Sequence, residues 1–159
     1  VRAKAFGMKI HVYDVFEQKD PIIDQCFVGM DKLPEFYPTC DYVVVSIPLN
    51  EKTRHIIDEK TFDLMKDSAV LINVARGPLV KTEDLIEALK EGKIKAAALD
   101  VYETEPLPSD SPLWDVENLF MTSHKAGMGD TWKGFIGALI MRNIDHYQNG
   151  ETLENVIQL

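Results

Sequence analysis

The chain has 159 residues, of which 45% are hydrophobic and 27% are charged, and its formal net charge is −9. This length is typical of one globular domain with a buried core, and no apolar run approaches the roughly 18 residues that a membrane span requires. An acidic chain repels phosphate backbones, which argues against nucleic acid as a partner. The two cysteines, Cys26 and Cys40, lie at no metal-ligand spacing. We therefore predict no metal site and interpret both as reduced thiols of a cytoplasmic protein.

Apolar, β-branched runs alternate with amphipathic stretches along almost the whole chain, which predicts alternating strands and helices. The predicted strands are residues 9–14, 25–28, 41–47, 68–73, 95–101 and 119–122. The predicted helices are residues 58–66, 82–91 and 130–149, and residues 1–7 resemble the end of a further helix capped by Gly7. Repeated strand–helix–strand units predict an α/β fold, a doubly wound parallel sheet of the Rossmann type with helices on both faces.

The two shorter predicted helices carry start signals at their N-termini. Asp58 and Thr82 are expected to be their N-caps, because both side chains can accept a hydrogen bond from the first turn. Leu85, Ile86 and Leu89 form an apolar stripe on the second of these helices. We expect this stripe to pack against the sheet.

A fold of this type should open with a strand and a G-x-G-x-x-G turn, and the sequence contains no such motif. We therefore expect the sequence to start inside the first βαβ unit, so that the domain is truncated at its N-terminus. The longest irregular stretch, residues 103–116, contains three prolines, and loops of this length are often functional.

Asp14 ends the first predicted strand, where dinucleotide-binding folds place an acid that binds the adenosine ribose. Its carboxylate would accept hydrogen bonds from both ribose hydroxyls and would repel a 2′-phosphate. The next residues, Val15 and Phe16, offer no cation that could hold such a phosphate. The alternative is a solvated aspartate at a strand end.

The segment NVARGPLV, residues 73–80, follows a predicted buried strand and precedes a helix. It therefore lies at the carboxyl edge of the sheet, where ligands bind. Arg76 leaves this edge on a tight turn, and its planar guanidinium suits a carboxylate held by two hydrogen bonds. The alternative is an arginine that closes a surface salt bridge.

His124 follows the last predicted strand, and Glu103 and Glu105 follow the strand before it. A carboxylate beside a histidine stabilises the imidazolium and fixes its tautomer, so the two can act as an acid–base pair. The alternative is a structural histidine, and we assign that role to the other three: His11, His55 and His146. The first lies within a strand, and the other two lack the carboxylate and glycine-rich setting of His124.

Five motifs occur in the order typical of D-isomer-specific 2-hydroxyacid dehydrogenases. They are the aspartate at the end of the first strand, PLNEKT at 48–53, NVARGPLV at 73–80, LDVYETEP at 99–106 and HKAG at 124–127. The sequence is therefore identified as a member of that family, and the resemblance covers essentially the whole chain. DSPLW at 110–114 is similar to the glyoxylate and hydroxypyruvate reductase-like branch, and a phosphoglycerate dehydrogenase-like branch is the other candidate.

The resemblance implies an oxidoreductase that transfers a hydride between NAD(H) and a D-2-hydroxy acid or its 2-keto acid. Arg76 would hold the substrate carboxylate and polarise the keto oxygen, His124 would exchange a proton with that oxygen, and Glu105 would pair with His124. The residues implied to bind the coenzyme are Asp14, Ile47, Thr53, Val74, Ala75, Arg76, Asp100, His124 and Gly127.

The resemblance also implies a domain organisation and an assembly. Residues 1–159 would be an NAD-binding domain that ends with the helix at 130–149, and the substrate domain would lie outside the chain. Members of the family usually pair through the coenzyme domain, so we expect a homodimer.

Two residues around His124 depart from the family pattern. Ser123 stands where a proline is usual, and Lys125 stands where a small or apolar residue is usual. A cation beside the imidazole disfavours its protonated form, which affects the working pH.

Several alternatives remain open at this point. The formate dehydrogenase branch is disfavoured, because it has glutamine where Glu105 stands, whereas phosphite dehydrogenases keep the same three catalytic residues. A non-catalytic scaffold that senses NAD(H) and binds partner peptides has the same fold. The chain could also be an inactive domain fragment.

Overall fold

The computed structural model describes residues 1–129 and 131–156. They form two compact units, Val1–His124 and Lys125–Leu159, each considered by itself. The strands are β1 His11–Asp14, β2 Gln25–Val28, β3 Tyr42–Val45, β4 Val70–Asn73, β5 Ala96–Leu99 and β6 Leu119–Met121. The helices are α1 Arg2–Ala5, α2 Leu33–Phe36, α3 Glu59–Leu64, α4 Thr82–Lys90 and α5 Trp132–Asn149.

Four strands form one parallel sheet in the order β3-β4-β5-β6. Their register places Val43 opposite Leu71, Leu71 opposite Ala97, and Ala97 opposite Leu119. Consecutive parallel strands require a crossover between them, and the crossovers here contain α3 and α4. The predicted α/β fold with a parallel sheet is confirmed.

The core lies against one face of this sheet. Burial alternates along β3, β4 and β5, so that Val43, Leu71 and Leu99 are buried while their neighbours are more exposed. The predicted stripe on α4 is confirmed, because Leu85, Ile86 and Leu89 are all buried in the same cluster. Burying this stripe supplies most of the reason why a nine-residue helix is stable here.

Most strands are shorter than predicted. The apolar run at 95–101, for example, gives a strand only from Ala96 to Leu99. Val101 is nevertheless almost fully buried beyond the end of that strand. Apolar residues thus continue past the hydrogen-bonded ladder, because the loops at this edge are packed as well.

Of the two predicted N-caps, one is confirmed and one is wrong. Asp58 accepts a hydrogen bond from the Thr61 N–H at 3.0 Å. Thr82 is instead the first residue of α4, and the residue before it, Lys81, makes no side-chain capping bond. The Thr82 N–H donates to Glu103 Oε2 at 2.9 Å, so a distant carboxylate satisfies the start of this helix.

The other two strands, β1 and β2, form a separate parallel pair. A cavity of about 590 Å³ is lined by residues of β1 and of β3, including Val12, Tyr13, Val43 and Val45. The edge strands of the two sheets thus border the same space without hydrogen bonding to each other.

The second unit contains α5, which ends at Gly150 in the left-handed conformation, at φ 69°. The predicted helix began at Asp130, which lies outside the described residues. After the helix, the chain returns along it, and Glu154 accepts hydrogen bonds from the Arg142 guanidinium at 2.8 and 3.1 Å. Among the described residues, no helix combines the length and apolar character needed to cross a bilayer.

Candidate active site

The residues predicted to be functional follow the carboxyl ends of the strands. β3 leads to Ile47, β4 leads to Arg76, β5 leads to Asp100, and β6 leads to His124. Because these four strands are parallel neighbours, their carboxyl ends lie along one edge of the sheet.

The turn that presents Arg76 is braced by the fully buried side chain of Asn73. Its amide nitrogen donates to the Arg76 carbonyl at 2.9 Å, and its amide oxygen accepts from the Ala75 N–H at 3.1 Å. Arg76 itself is exposed, and its Nη1 donates to the Ala75 carbonyl at 2.6 Å. The backbone of the turn is thus fixed while the guanidinium reaches the surface.

A cleft of about 690 Å³ lies between the loops that follow β3 and β4. Its lining residues are Ser46, Ile47, Pro48, Leu49, Val74, Ala75 and Arg76. The structure thus brings together four of the residues predicted to bind the coenzyme. Thr53 does not line this cleft, but its hydroxyl donates to the Pro48 carbonyl at 2.8 Å and braces the loop.

The imidazole of His124 lies against the carboxylate of Glu105, with Nδ1 2.6 Å from Oε2. The other carboxylate oxygen accepts the Tyr102 N–H at 2.9 Å. His124 adopts a left-handed backbone at φ 53°, and its N–H donates to the Asp100 carbonyl at 2.8 Å. Both partners of the ion pair are therefore held by backbone hydrogen bonds at the ends of β5 and β6.

Charges at this edge favour an ionised Glu105. The hydrogen bond with His124 is the largest cause that lowers the pKa of the Glu105 carboxyl, and the Tyr102 N–H adds to it. The positive charge of Arg76 lowers it further. An ionised Glu105 accepts from Nδ1 of His124, which leaves Nε2 for proton exchange with a substrate.

Asp100 is almost fully buried beneath this pair. Its carboxylate accepts a short hydrogen bond from the Thr122 hydroxyl. The Tyr102 hydroxyl donates to the Thr122 carbonyl at 2.7 Å, and burial is the main reason that its pKa is raised. Tyr102 therefore remains a donor and ties the loop after β5 to the strand end of β6.

Gly77 is required by a close backbone approach. A Cβ at this position would lie 1.9 Å from the Tyr102 carbonyl carbon and 2.4 Å from the Glu103 nitrogen. Any side chain would push the Arg76 turn away from the loop that carries Glu105. The glycine thus lets the turn that carries Arg76 pack against the loop that carries Glu105.

The two remaining predicted coenzyme residues are Asp14 and Gly127. Asp14 ends β1, in the other sheet, where its carboxylate accepts the Phe16 N–H at 3.2 Å and the Gln18 amide at 2.8 Å. Gly127 belongs to the second unit, and a Cβ added to it would contact nothing within 4 Å.

Residues 1–126 match the model of a family described as D-isomer specific 2-hydroxyacid dehydrogenase, NAD binding domain. The chain belongs to this family. The resemblance drawn from the five sequence motifs is thereby confirmed.

Members of this family with longer chains match it closely. The chain is 40% identical over 158 residues to the D-3-phosphoglycerate dehydrogenase of Methanocaldococcus jannaschii, a match that covers 99% of this chain and 30% of that protein. It is 36% identical over 158 residues to the glyoxylate reductase of Korarchaeum cryptofilum, covering 98% and 47%. The chain thus spans between 30% and 47% of the length of these two relatives.

A crystal structure from the same family gives the structural comparison. It is a D-isomer specific 2-hydroxyacid dehydrogenase from Xanthobacter autotrophicus in complex with NADPH and MES. The TM-score is 0.86 at 34% identity, and the match covers 96% of this chain and 62% of that one.

Sequence reasoning missed two contacts of this domain. His146 and His55 were both predicted to lack a carboxylate partner, and both predictions are wrong. Nε2 of His146 lies 3.7 Å from Glu151 Oε2. Nε2 of His55 lies 2.6 Å from Glu103 Oε1. The two residues are 48 positions apart, so no local pattern indicates the contact. Within residues 1–129 and 131–156, no group of three or more His, Cys, Asp or Glu side chains could hold a metal ion.

Proposed function

We propose that this chain is the coenzyme-binding domain of an enzyme that interconverts D-2-hydroxy acids and 2-keto acids with NAD(H). The observation that carries the proposal is the ion pair of His124 and Glu105, whose charge environment includes Arg76, at the carboxyl edge of the sheet. A proton donor and a fixed cation are the two groups that reduction of a keto acid requires from a protein.

The residues present fit a nicotinamide dinucleotide. Asp14 offers a carboxylate at the end of β1, and Ile47 and Val74 line a cleft together with Arg76. When bound, the coenzyme supplies or accepts the hydride at C4 of its nicotinamide ring. These residues would hold and orient it beside the substrate.

The side chains at the site have complementary roles in this reaction. Arg76 would bind the substrate carboxylate and stabilise the negative charge that develops on the keto oxygen. His124 would donate a proton to that oxygen from Nε2 during reduction and would remove it during oxidation. Glu105 would hold the tautomer that makes this possible and stabilise the imidazolium.

We propose that NAD(H) is preferred over NADP(H). The carboxylate of Asp14 would repel a 2′-phosphate, and the residues that follow it, Val15 and Phe16, are exposed and apolar. The next cation in the chain, Lys19, already pairs with Glu17 at 3.0 Å.

We also propose that the cavity between the two sheets is the place of the first strand of the fold. In the Rossmann order 3-2-1-4-5-6, the first strand lies between the strands that correspond to β1 and β3 here. The cavity borders these two strands. In the whole protein, a substrate domain would face the cleft. Two copies of the protein would pair through the coenzyme domain, and a measurement of the molar mass in solution tests this pairing.

The experiment measures reduction of a panel of 2-keto acids by the full-length protein and its His124→Ala and Arg76→Lys variants. We expect His124→Ala to lower kcat by about 10²–10⁴-fold while NADH still binds. Arg76→Lys should raise KM and lower kcat together, because an ammonium cannot reproduce the planar fork. An NADH-binding protein without turnover would indicate the scaffold function instead, and parental kcat in His124→Ala would refute the assigned role.

A further inference from the structure

The loop that carries Glu105 also carries a second histidine–glutamate pair. Nε2 of His55 lies 2.6 Å from Oε1 of Glu103, two residues before Glu105. Its side chains are 34% and 25% exposed, compared with 50% for His124 and 33% for Glu105. The second pair is thus the more buried one.

Three contacts with neighbouring segments hold His55 and Glu103 in place. Glu103 uses its other oxygen to accept the Thr82 N–H at 2.9 Å. The His55 N–H donates to the Pro78 carbonyl at 2.8 Å, and His55 has a left-handed backbone at φ 53°. The backbone of Gly77 also packs closely against the peptide group between Tyr102 and Glu103.

The fixed loop leads directly to the catalytic pair. The N–H of Tyr102, the residue before Glu103, donates to Glu105 Oε1, and Glu105 Oε2 contacts His124. A shift of Glu103 would displace its chain neighbour Tyr102, whose N–H donates to the Glu105 carboxylate. The orientation of the Glu105 carboxylate therefore depends on the position of Glu103.

Charge supports this arrangement. Burial alone would raise the pKa of the Glu103 carboxyl, but the hydrogen bonds from Thr82 and His55 outweigh burial and leave the pKa lowered. Glu103 is therefore an anion that needs its partners, and removing one of them releases a strong constraint on the loop.

We propose that His55 and Glu103 form a positioning pair that fixes the loop 102–105, and through Glu105 the orientation of the His124 imidazole. The inference rests on the proposed function, since it assigns an effect on keto-acid reduction. We assign neither residue a contact with substrate, because the His55 ring and the Glu103 carboxylate bind each other, and the second carboxylate oxygen accepts the Thr82 N–H.

The test compares two substitutions of His55 in the full-length protein. His55→Asn tolerates the left-handed backbone but is too short to reach Glu103, whereas His55→Gln places an amide N–H near the position of Nε2. We expect His55→Asn to lower kcat on the order of tenfold, with KM and NADH affinity close to the parent, and His55→Gln to recover most of the loss.

A role limited to backbone conformation predicts the opposite order, because asparagine adopts positive φ more readily than glutamine. Higher kcat in His55→Asn than in His55→Gln would therefore overturn the inference. Asp63→Asn is the matched control, since it removes the charge that pairs with Lys93, and this ion pair includes no residue of the two histidine–glutamate pairs. Its kcat should equal that of the parent.

A double-mutant cycle tests the route through Glu105. If His55 acts through that residue, His55→Asn should add little further loss of kcat in a Glu105→Gln background. Independent losses that multiply in the double variant would contradict the proposed route.

A measurement that does not require turnover separates this inference from the proposed function. NMR of the ring nitrogens of His124 should show a single tautomer with Nδ1 protonated in the parent and in His55→Gln, and a mixture in His55→Asn. The same spectrum in His55→Asn as in the parent would overturn the inference. Absence of keto-acid reduction in the parent would refute the proposed function alone, and the NMR result would still decide on the positioning pair.

Discussion

Glu105 is the residue on which the acid–base chemistry of the site depends. Its pKa is lowered from the ordinary value of 4.5, chiefly by the hydrogen bond with His124. A carboxyl group whose pKa is lowered in the folded protein contributes stability above its ordinary pKa. That contribution is lost as the pH falls through the lowered value. In neutral solution the Glu105 carboxylate is therefore ionised and can accept the hydrogen bond from Nδ1 of His124.

Glu105→Gln keeps the shape of the side chain and removes its charge. We expect the rate of keto-acid reduction to fall off at a lower pH than in the parent, because the imidazolium loses its electrostatic partner. The measurement is the pH profile of kcat/KM for both proteins. A descending limb at the same pH in the two profiles would show that Glu105 does not stabilise the protonated form of His124.

Asp14 decides the coenzyme preference in our account. Asp14→Ala removes the charge that repels a 2′-phosphate, so the ratio of kcat/KM with NADH to that with NADPH should fall by about tenfold or more. Glu117→Ala is the control, because it removes an exposed carboxylate just before β6 that is not among the predicted coenzyme residues, and it should leave the ratio near the parental value. The Xanthobacter enzyme was crystallised with NADPH, so both coenzymes must be compared. A parent protein that prefers NADPH would contradict the proposal.

The turn between β4 and α4, which carries Arg76, packs against the loop that carries Glu105. Asn73 braces it from within, and Gly77 lets it approach the loop after β5. This contact explains why glycine follows Arg76: a side chain at position 77 would collide with the backbone of Tyr102 and Glu103.

Gly77→Ala should therefore be destabilising, by about 1–3 kcal/mol, because neither backbone segment can move without breaking its hydrogen bonds. Urea unfolding of the full-length protein measures this change. Gly137→Ala is the control, because a Cβ there meets open space within α5 and alanine favours a helix. Equal unfolding midpoints for Gly77→Ala and the parent would show that the close approach is not maintained in solution.

Local patterns predicted the elements well, and long-range contacts account for what they missed. The β-branched runs indicated all six strands, and Asp58 indicated the start of α3, since both signals act within a few residues. The Thr82 N–H at the start of α4 donates to Glu103, twenty-one positions away. Local sequence does not reveal this partner, and Thr82 was therefore predicted to be the N-cap. The pairing of His55 with Glu103 has the same cause.

The separation into two sheets is the feature at the scale of the molecule that bears most on function. Asp14 lies at the carboxyl end of one sheet, and the groups predicted to meet the substrate lie at the carboxyl end of the other. A dinucleotide that contacts both would cross the cavity that we assign to the first strand and its glycine-rich turn. The two relatives are between about two and just over three times as long as the segment that matches this chain. In this proposal, the part of the whole protein outside this chain forms the opposing wall of the site.

The central claim is that a hydride passes between the coenzyme and C2 of a 2-keto acid at this site. The most direct measurement incubates the full-length protein with NADH that carries deuterium at both C4 positions and with glyoxylate, pyruvate or hydroxypyruvate, and locates the transferred deuterium by NMR. A protein of residues 1–159 alone serves as the control. We expect deuterium at C2 of the hydroxy acid, and the D configuration at C2 of the products from pyruvate and hydroxypyruvate. We expect no transfer by residues 1–159. Bound NADH that keeps its deuterium in the presence of all three acids would contradict the account.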